Sequence, residues 1–159
     1  MITLRPYEKN DAPIVLSWVK DDRSFFLWCA DRFDSYPISS DEFNNIYSLS
    51  SMKGYIAEDN GSPIGHLFIQ ELGNKAYKFG LIIVDSEKRG CGYGKKMLEC
   101  AISYAKKNLN ASSITLSVFD INVSANECYK KLGFAENGKY RVIDVLGENH
   151  NYLEMDLFL

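Results

Sequence analysis

Between Gly54 and Leu72 the apolar residues come in short runs, such as Tyr55-Ile56-Ala57 and Leu67-Phe68-Ile69, whereas from Gly92 to Asn108 they recur every three or four positions. The first pattern belongs to strands and the second to a helix with one buried face. Applied along the chain, the same test opens with a strand at Ile2–Arg5. A helix follows over about Asp11–Lys20, with Ile14, Val15, Trp18 and Val19 on one face, and a second helix is expected over Arg23–Asp31. Ser39-Ser40-Asp41-Glu42 starts a third that runs to about Ser50. Strands at Gly54–Glu58 and Ile64–Leu72 flank Asn60-Gly61, a pair suited to a tight hairpin, and Gly73-Asn74 marks the next turn. Ala76–Val84 is a further strand. The helix from Gly92 turns Met97, Leu98, Ala101, Ile102, Tyr104 and Ala105 toward the sheet. Ser113–Val118 is a β-branched strand, a short helix follows Ser124, and Phe134–Val145 and Tyr152–Leu159 complete a mixed sheet.

Composition narrows the function classes. The chain has 159 residues, 46% hydrophobic and 25% charged, as expected of one globular domain spanning 1–159 without repeats or linkers. Its net charge is −3, with lysines and arginines scattered among acidic residues, so no extended nucleic-acid footprint is expected. No apolar run approaches the roughly 18 residues that span a bilayer, and the opening Met1–Pro6 has no apolar signal core, so a cytoplasmic protein without a membrane partner is expected. Cys29, Cys91, Cys100 and Cys128 form no C-x-x-C pair. With His66 and His150 as the only histidines, reduced thiols and no metal site are expected.

The most informative stretch joins the strand ending Leu81-Ile82-Ile83-Val84 to the next helix through Arg89-Gly90-Cys91-Gly92-Tyr93-Gly94-Lys95. Glycines at alternate positions admit conformations closed to other residues and keep side chains away from backbone N–H groups, while the following helix points its positive end at the same place. The expected ligand is a phosphate. A dinucleotide fingerprint is excluded because Lys95 stands where its third glycine belongs. A P-loop is excluded because Lys96 replaces the required Ser or Thr, and Arg89 the earlier glycine.

The pattern that fits is R-x-x-G-x-G, which resembles the acetyl-CoA pyrophosphate signature of the GNAT superfamily of N-acetyltransferases. A second stretch, Leu116 to Phe134, resembles that family's other signature: L-x-V, then N-x-x-A-x-x-x-Y at Asn122 to Tyr129, then Lys131-Leu132-Gly133-Phe134. Read physically, Ser124 and Glu127 are a capping box and Gly133-Phe134 a glycine stop with its apolar contact. The element order β-α-α-β-β-β-α-β-α-β-β is also that of the GNAT fold. The resemblance implies an α/β (α+β) domain with one mixed, mostly antiparallel sheet of about seven strands flanked by about four to five helices. The opening Arg5-Pro6, the helix carrying Trp18 and the aromatic stretch after it loosely resemble the branch of ribosomal-protein N-terminal acetyltransferases.

By this resemblance the N–H groups of Arg89, Gly90, Cys91, Gly92, Tyr93, Gly94 and Lys95 hold the pyrophosphate of acetyl-CoA. The backbone of Ile82, Ile83 and Val84 pairs with the pantetheine arm, Asn122 contacts the cofactor, and Tyr129 protonates the departing sulfur. Direct transfer to a primary amine follows, on a peptide N-terminus or a small molecule, and a homodimer is compatible with the resemblance. Alternatives are a longer acyl-CoA donor or a non-catalytic CoA-binding sensor. Some relatives carry a glutamate as general base where this chain has Lys78; Glu71, Asp120, His66 and Tyr77 are candidate substitutes, and a water chain relayed to backbone carbonyls would serve as well. Trp18, Phe25, Phe26, Trp28, Phe33, Tyr36, Phe43 and Tyr47 are expected to wall the acceptor pocket. Asp21, Asp22, Asp31, Asp34, Asp41 and Glu42 are expected to draw a cation to it.

Overall fold

The computed structural model describes residues 1–48 and 51–159. Seven strands form a single sheet in the order β1-β2-β3-β4-β5-β7-β6, in which only β4 and β5 run parallel. The strands are β1 Ile2–Pro6, β2 Met52–Asp59, β3 Ser62–Gly73, β4 Ala76–Val84, β5 Ser113–Phe119, β6 Ala135–Val145 and β7 Glu148–Phe158. Five α-helices lie among the described residues: α1 Ala12–Ser17, α2 Asp22–Cys29, α3 Ser40–Ser48, α4 Tyr93–Asn108 and α5 Val123–Lys131. The expected mixed sheet is present.

One core lies under α4 and α5, where Met97, Leu98, Ala101 and Ala105 pack on Leu67, Phe79, Ile114 and Leu116. The other lies under α1 to α3, where Val15, Trp18, Phe25 and Phe43 pack on Ile56, Phe68, Leu81 and Ile83. Period-two alternation along the central strands feeds both layers at once, which is why those strands read as nearly continuous apolar runs.

Several expectations shift in detail. The first helix ends at Ser17 rather than Lys20 and leaves Ile14 exposed, while Val15, Trp18 and Val19 are buried as expected. A shorter helix suffices because Asp21 then caps α2, its carboxylate accepting from the Ser24 N–H at 2.7 Å. The expected extension of α3 to Ser50 lies outside the described residues. The last strand begins at Glu148, not Tyr152. Leu146-Gly147 forms the hairpin turn, with φ of +53° and +89°, and a leucine there carries no turn signal.

Candidate active site

β4 is paired with β3 along its length but with β5 only at Ala76–Lys78, against Ser113–Thr115. Past Lys78 the two strands part, because β5 stays with β7 through Phe119 while β4 turns at a bulge. Leu81 takes φ +47°, and Leu81 with Ile82 faces the single residue Leu67. A bulge bends its strand and breaks the ladder. From Phe79 to Val84 the edge of β4 that faces β5 therefore has no strand partner among the described residues. Gly80 is required beside this bend: a Cβ there would sit 2.3 Å from the Phe68 ring. The side chains of Ile82 and Val84 pack at the margin of the α4/α5 core and that of Ile83 is buried under α1 to α3, so only their backbone is free for other work.

At the open end of this wedge lies the glycine loop. Gly90 and Gly92 both adopt φ +79°, and a Cβ at either would meet nothing within 4 Å. These glycines serve conformation rather than packing. Gly94 is ordinary helix, and its Cβ would touch Val84 at 3.7 Å, so the strained positions are the first two glycines only. The first helical bond of α4 runs from the Lys96 N–H to Gly92 O, and among the described residues no acceptor takes the N–H groups from Arg89 to Lys95. Side chains here are largely occupied elsewhere. The Tyr93 hydroxyl donates to Asp59 at 2.8 Å, tying α4 to the β2–β3 hairpin, and Lys95 pairs loosely with Glu99 at 3.8 Å; Arg89 and Cys91 are exposed. The arrangement can hold an anion by backbone alone.

α5 differs from the expected capping box. Its cap is Asn122, whose Oδ1 accepts from the Ala125 N–H at 3.4 Å, and Ser124 is already helical. Asparagine caps as well as serine, and starting here lets Asn126 hold the loop, its Nδ2 donating to Phe119 O and Asn122 O. The glycine stop forms as expected. Phe134 N–H reaches Tyr129 O and Gly133 N–H reaches Lys130 O, both at 3.0 Å, with Gly133 at φ +102°. Tyr129 is buried in the cluster that holds Leu116 and Val118 of β5, with Ile82 and Val84 at its margin. Burial holds its phenol above the ordinary tyrosine range, and no described residue shares a hydrogen bond with its hydroxyl.

On the opposite face, α2, α3 and the segment between them pack their rings on β3 and β4. Phe25, Phe43 and Trp18 are core; Phe26, Trp28, Phe33, Tyr36 and Tyr47 are half-buried. The acidic residues are mostly committed. Asp21 caps α2, Glu42 forms a capping box with Ser39, and Asp31 holds Arg141 through two bonds of 2.8 and 3.3 Å, which keeps its carboxyl below the usual range. Cations border the wedge instead. Lys78 is half-buried at its vertex, its pKa lowered by burial and by Arg32. Arg32 stacks 4.8 Å from the centroid of Phe68, the ring that crosses Gly80, and has no ion pair among the described residues. Sequence reasoning missed Arg32, Arg141 and the half-buried Glu154, because only the sheet order brings them beside Lys78.

The substitutes for a general base do not converge on the wedge. Tyr77 packs on the α4/α5 face with its hydroxyl donating to Leu109 O at 3.3 Å, Glu71 is exposed near the end of β3 opposite Tyr77, and Asp120 is exposed just past β5. His66 is fully buried with both ring nitrogens engaged.

The fold has known counterparts. The chain is similar to a spermidine N(1)-acetyltransferase of Escherichia coli, 23% identical over 99% of this chain and 86% of the relative. It is also similar to one of Vibrio cholerae, 24% identical over 86% of this chain and 80% of the relative. A solved Vibrio cholerae spermidine N-acetyltransferase, in complex with CoA and spermine, superposes with a TM-score of 0.82 at 23% identity, over 99% of this chain and 95% of that one. These relatives are polyamine enzymes, so the loose likeness to ribosomal-protein N-terminal acetyltransferases gains nothing from them. The acetyltransferase (GNAT) family matches residues 13–134, most of the chain, and with the wedge and the glycine loop in place, this chain belongs to that family as an acetyl-CoA-dependent N-acetyltransferase.

Proposed function

We propose that the wedge between β4 and β5 is the acetyl-CoA site and that this single domain, 1–159, transfers acetyl directly to an α-amine or a similarly weakly basic primary amine in the cytoplasm. One observation carries the site: a strand edge, Phe79–Val84, that has no strand partner among the described residues leads into a run of N–H groups, Arg89–Lys95, with no protein acceptor among those residues. An amide-bearing arm that ends in a pyrophosphate matches that sequence of partners. The edge at Ile82, Ile83 and Val84 pairs with the arm, and the glycine loop takes the phosphates. Asn122 closes the far side, and the free Tyr129 hydroxyl gives its proton to the leaving sulfur. Because burial holds that proton tightly, Tyr129 stays protonated throughout the neutral range.

The acceptor follows from the missing base. A polyamine nitrogen with pKa about 10.4 is roughly 0.1% neutral at pH 7.4, whereas an α-amine near 7.7 is about one third neutral and needs little help. Arg141 is paired with Asp31 and Lys78 has Glu154 beside it, so Arg32, which has no ion pair among the described residues, is the cation at the wedge that disfavours a polycation. The second reading is a polyamine acceptor, favoured by the spermidine-acetylating relatives. Thiol release from acetyl-CoA, followed from pH 6.5 to 9 with short free-N-terminus peptides, amino-acid amides and spermidine, separates the two. The α-amines are expected to win near neutral pH; a tenfold advantage for spermidine overturns the acceptor assignment.

A further inference from the structure

Beneath the bulge of β4 lies a fully buried histidine that the chemistry above leaves unused. His66, on β3, is completely buried, its Nδ1 is 3.0 Å from Leu81 O and its Nε2 is 2.6 Å from the Tyr47 hydroxyl. A carbonyl oxygen only accepts, so Nδ1 carries the hydrogen and donates it to Leu81. In the neutral ring Nε2 then accepts from the Tyr47 hydroxyl. The tautomer is fixed from both sides.

Leu81 is the residue at which β4 leaves the ladder, with φ +47°, a conformation that costs a non-glycine residue about 1 kcal/mol or more unless its surroundings hold it. Its carbonyl has turned out of the sheet into the α1–α3 layer, and His66 is the group that receives it. Immediately beyond are Ile82, Ile83 and Val84, whose backbone direction depends on how far β4 turns at Leu81. We infer that His66 is a positioning residue: by clamping Leu81 O it sets the bulge, and through the bulge it aims the strand edge that pairs with the acyl-CoA arm. Tyr47 extends this clamp to α3, so the helix that walls the acceptor side and the edge that receives the cofactor meet at one imidazole. The inference rests on the wedge being the acetyl-CoA site.

Two amide substitutions separate the contacts. In His66→Asn the amide nitrogen falls near the Nδ1 position and keeps a donor toward Leu81 O while losing Tyr47. In His66→Gln the amide reaches the Nε2 position, keeps a partner for Tyr47 and loses the donor to Leu81. The clamp predicts a KM for acetyl-CoA within about threefold of wild type in His66→Asn and raised about tenfold in His66→Gln, with the acceptor KM unchanged in both. Thermal midpoints without ligand are measured alongside, because a merely structural histidine would lower them in both variants with no such split in KM. Equal KM values for acetyl-CoA in the two variants overturn the clamp. If acetyl-CoA fails to raise the midpoint of the wild-type protein, the wedge assignment fails first, and that result is distinct from a bound wild type with two equivalent variants.

Discussion

The two sides of the wedge are built from different materials. On the α4/α5 side the site is backbone: a strand edge without a neighbour, two left-handed glycines, and the opening turn of a helix. On the α1–α3 side it is side chains: stacked rings from Phe25 to Tyr47, with Arg32, Lys78 and the Arg141–Asp31 pair beside them. A backbone site tolerates changes in its side chains and depends on a few positions where a side chain is forbidden. A side-chain site has the opposite sensitivity, and its specificity can be retuned without disturbing the cofactor.

The largest expected effect tests the backbone side. Gly94→Val puts bulk against Val84, where the strand hands over to the loop, in a helical conformation that valine can adopt. Wild type should gain about 2.7 kcal/mol of stability from acetyl-CoA at a hundredfold excess over its dissociation constant. The variant should remain folded and lose that gain, along with more than a hundredfold in activity. Differential scanning with and without acetyl-CoA reads both quantities, and an undiminished ligand shift in Gly94→Val would place the phosphates elsewhere.

Next in size is the one side chain that the cofactor half requires for chemistry. Tyr129→Phe keeps the ring that packs 6.2 Å from Phe134 and removes only the unpartnered hydroxyl. Turnover should fall by tenfold or more, with the KM for acetyl-CoA nearly unchanged, because the lost proton acts only as sulfur departs. Steady-state kinetics on the purified variant decides this. Full activity would make Tyr129 a core residue and leave solvent to protonate the thiolate.

That asymmetry also explains what was legible in advance. The loop at Gly90 and Gly92 and the helix stop at Gly133 are legible because backbone demands leave marks at fixed spacing: glycine where φ is positive, and glycine after a helix. Even so, the mark was misassigned at Ser124, since Asn122 and Ser124 are both competent caps and the sequence does not rank them. The bulge at Leu81 left no mark at all. A leucine at φ +47° contradicts local preference and is held by a histidine fifteen positions earlier and a tyrosine on another helix. The charges around the ring wall follow a related rule. The acidic residues from Asp21 to Glu42 are visible in sequence, but the use of Asp21 and Glu42 in caps and of Asp31 in the Arg141 pair depends on packing and sheet order.

A pH experiment sharpens the comparison at the residue where the two sides meet. Burial pushes His66 down to about 4 from an ordinary 6.5, with Leu81 O and the Arg5-paired Asp11 opposing the shift. Its folded pKa lies below its unfolded one, so the unfolded chain binds the extra proton first. Stability is therefore full above about pH 6.5 and is lost as pH falls toward 4, by about 2 kcal/mol between pH 7 and pH 5. Urea titrations of wild type and His66→Asn at these two pH values isolate the contribution, since the carboxylates are common to both. An identical pH slope in the two proteins would mean that the imidazole is not held neutral.

The smallest effect probes the side-chain half alone. Arg32 lies exposed over Phe68, so its field at the wedge is screened and worth on the order of 1 kcal/mol, roughly a fivefold change in a rate ratio. Arg32→Glu reverses that field without touching the glycine loop or the free edge of β4. Spermidine should then gain about fivefold in kcat/KM relative to a short neutral peptide, the KM for acetyl-CoA should stay constant, and the gain should shrink as salt rises from 50 to 500 mM. Competition assays with the two acceptors together measure the ratio directly. If the ratio is unmoved at low salt, Arg32 does not face the acceptor, and the preference between amines must then come from the ring wall and Lys78.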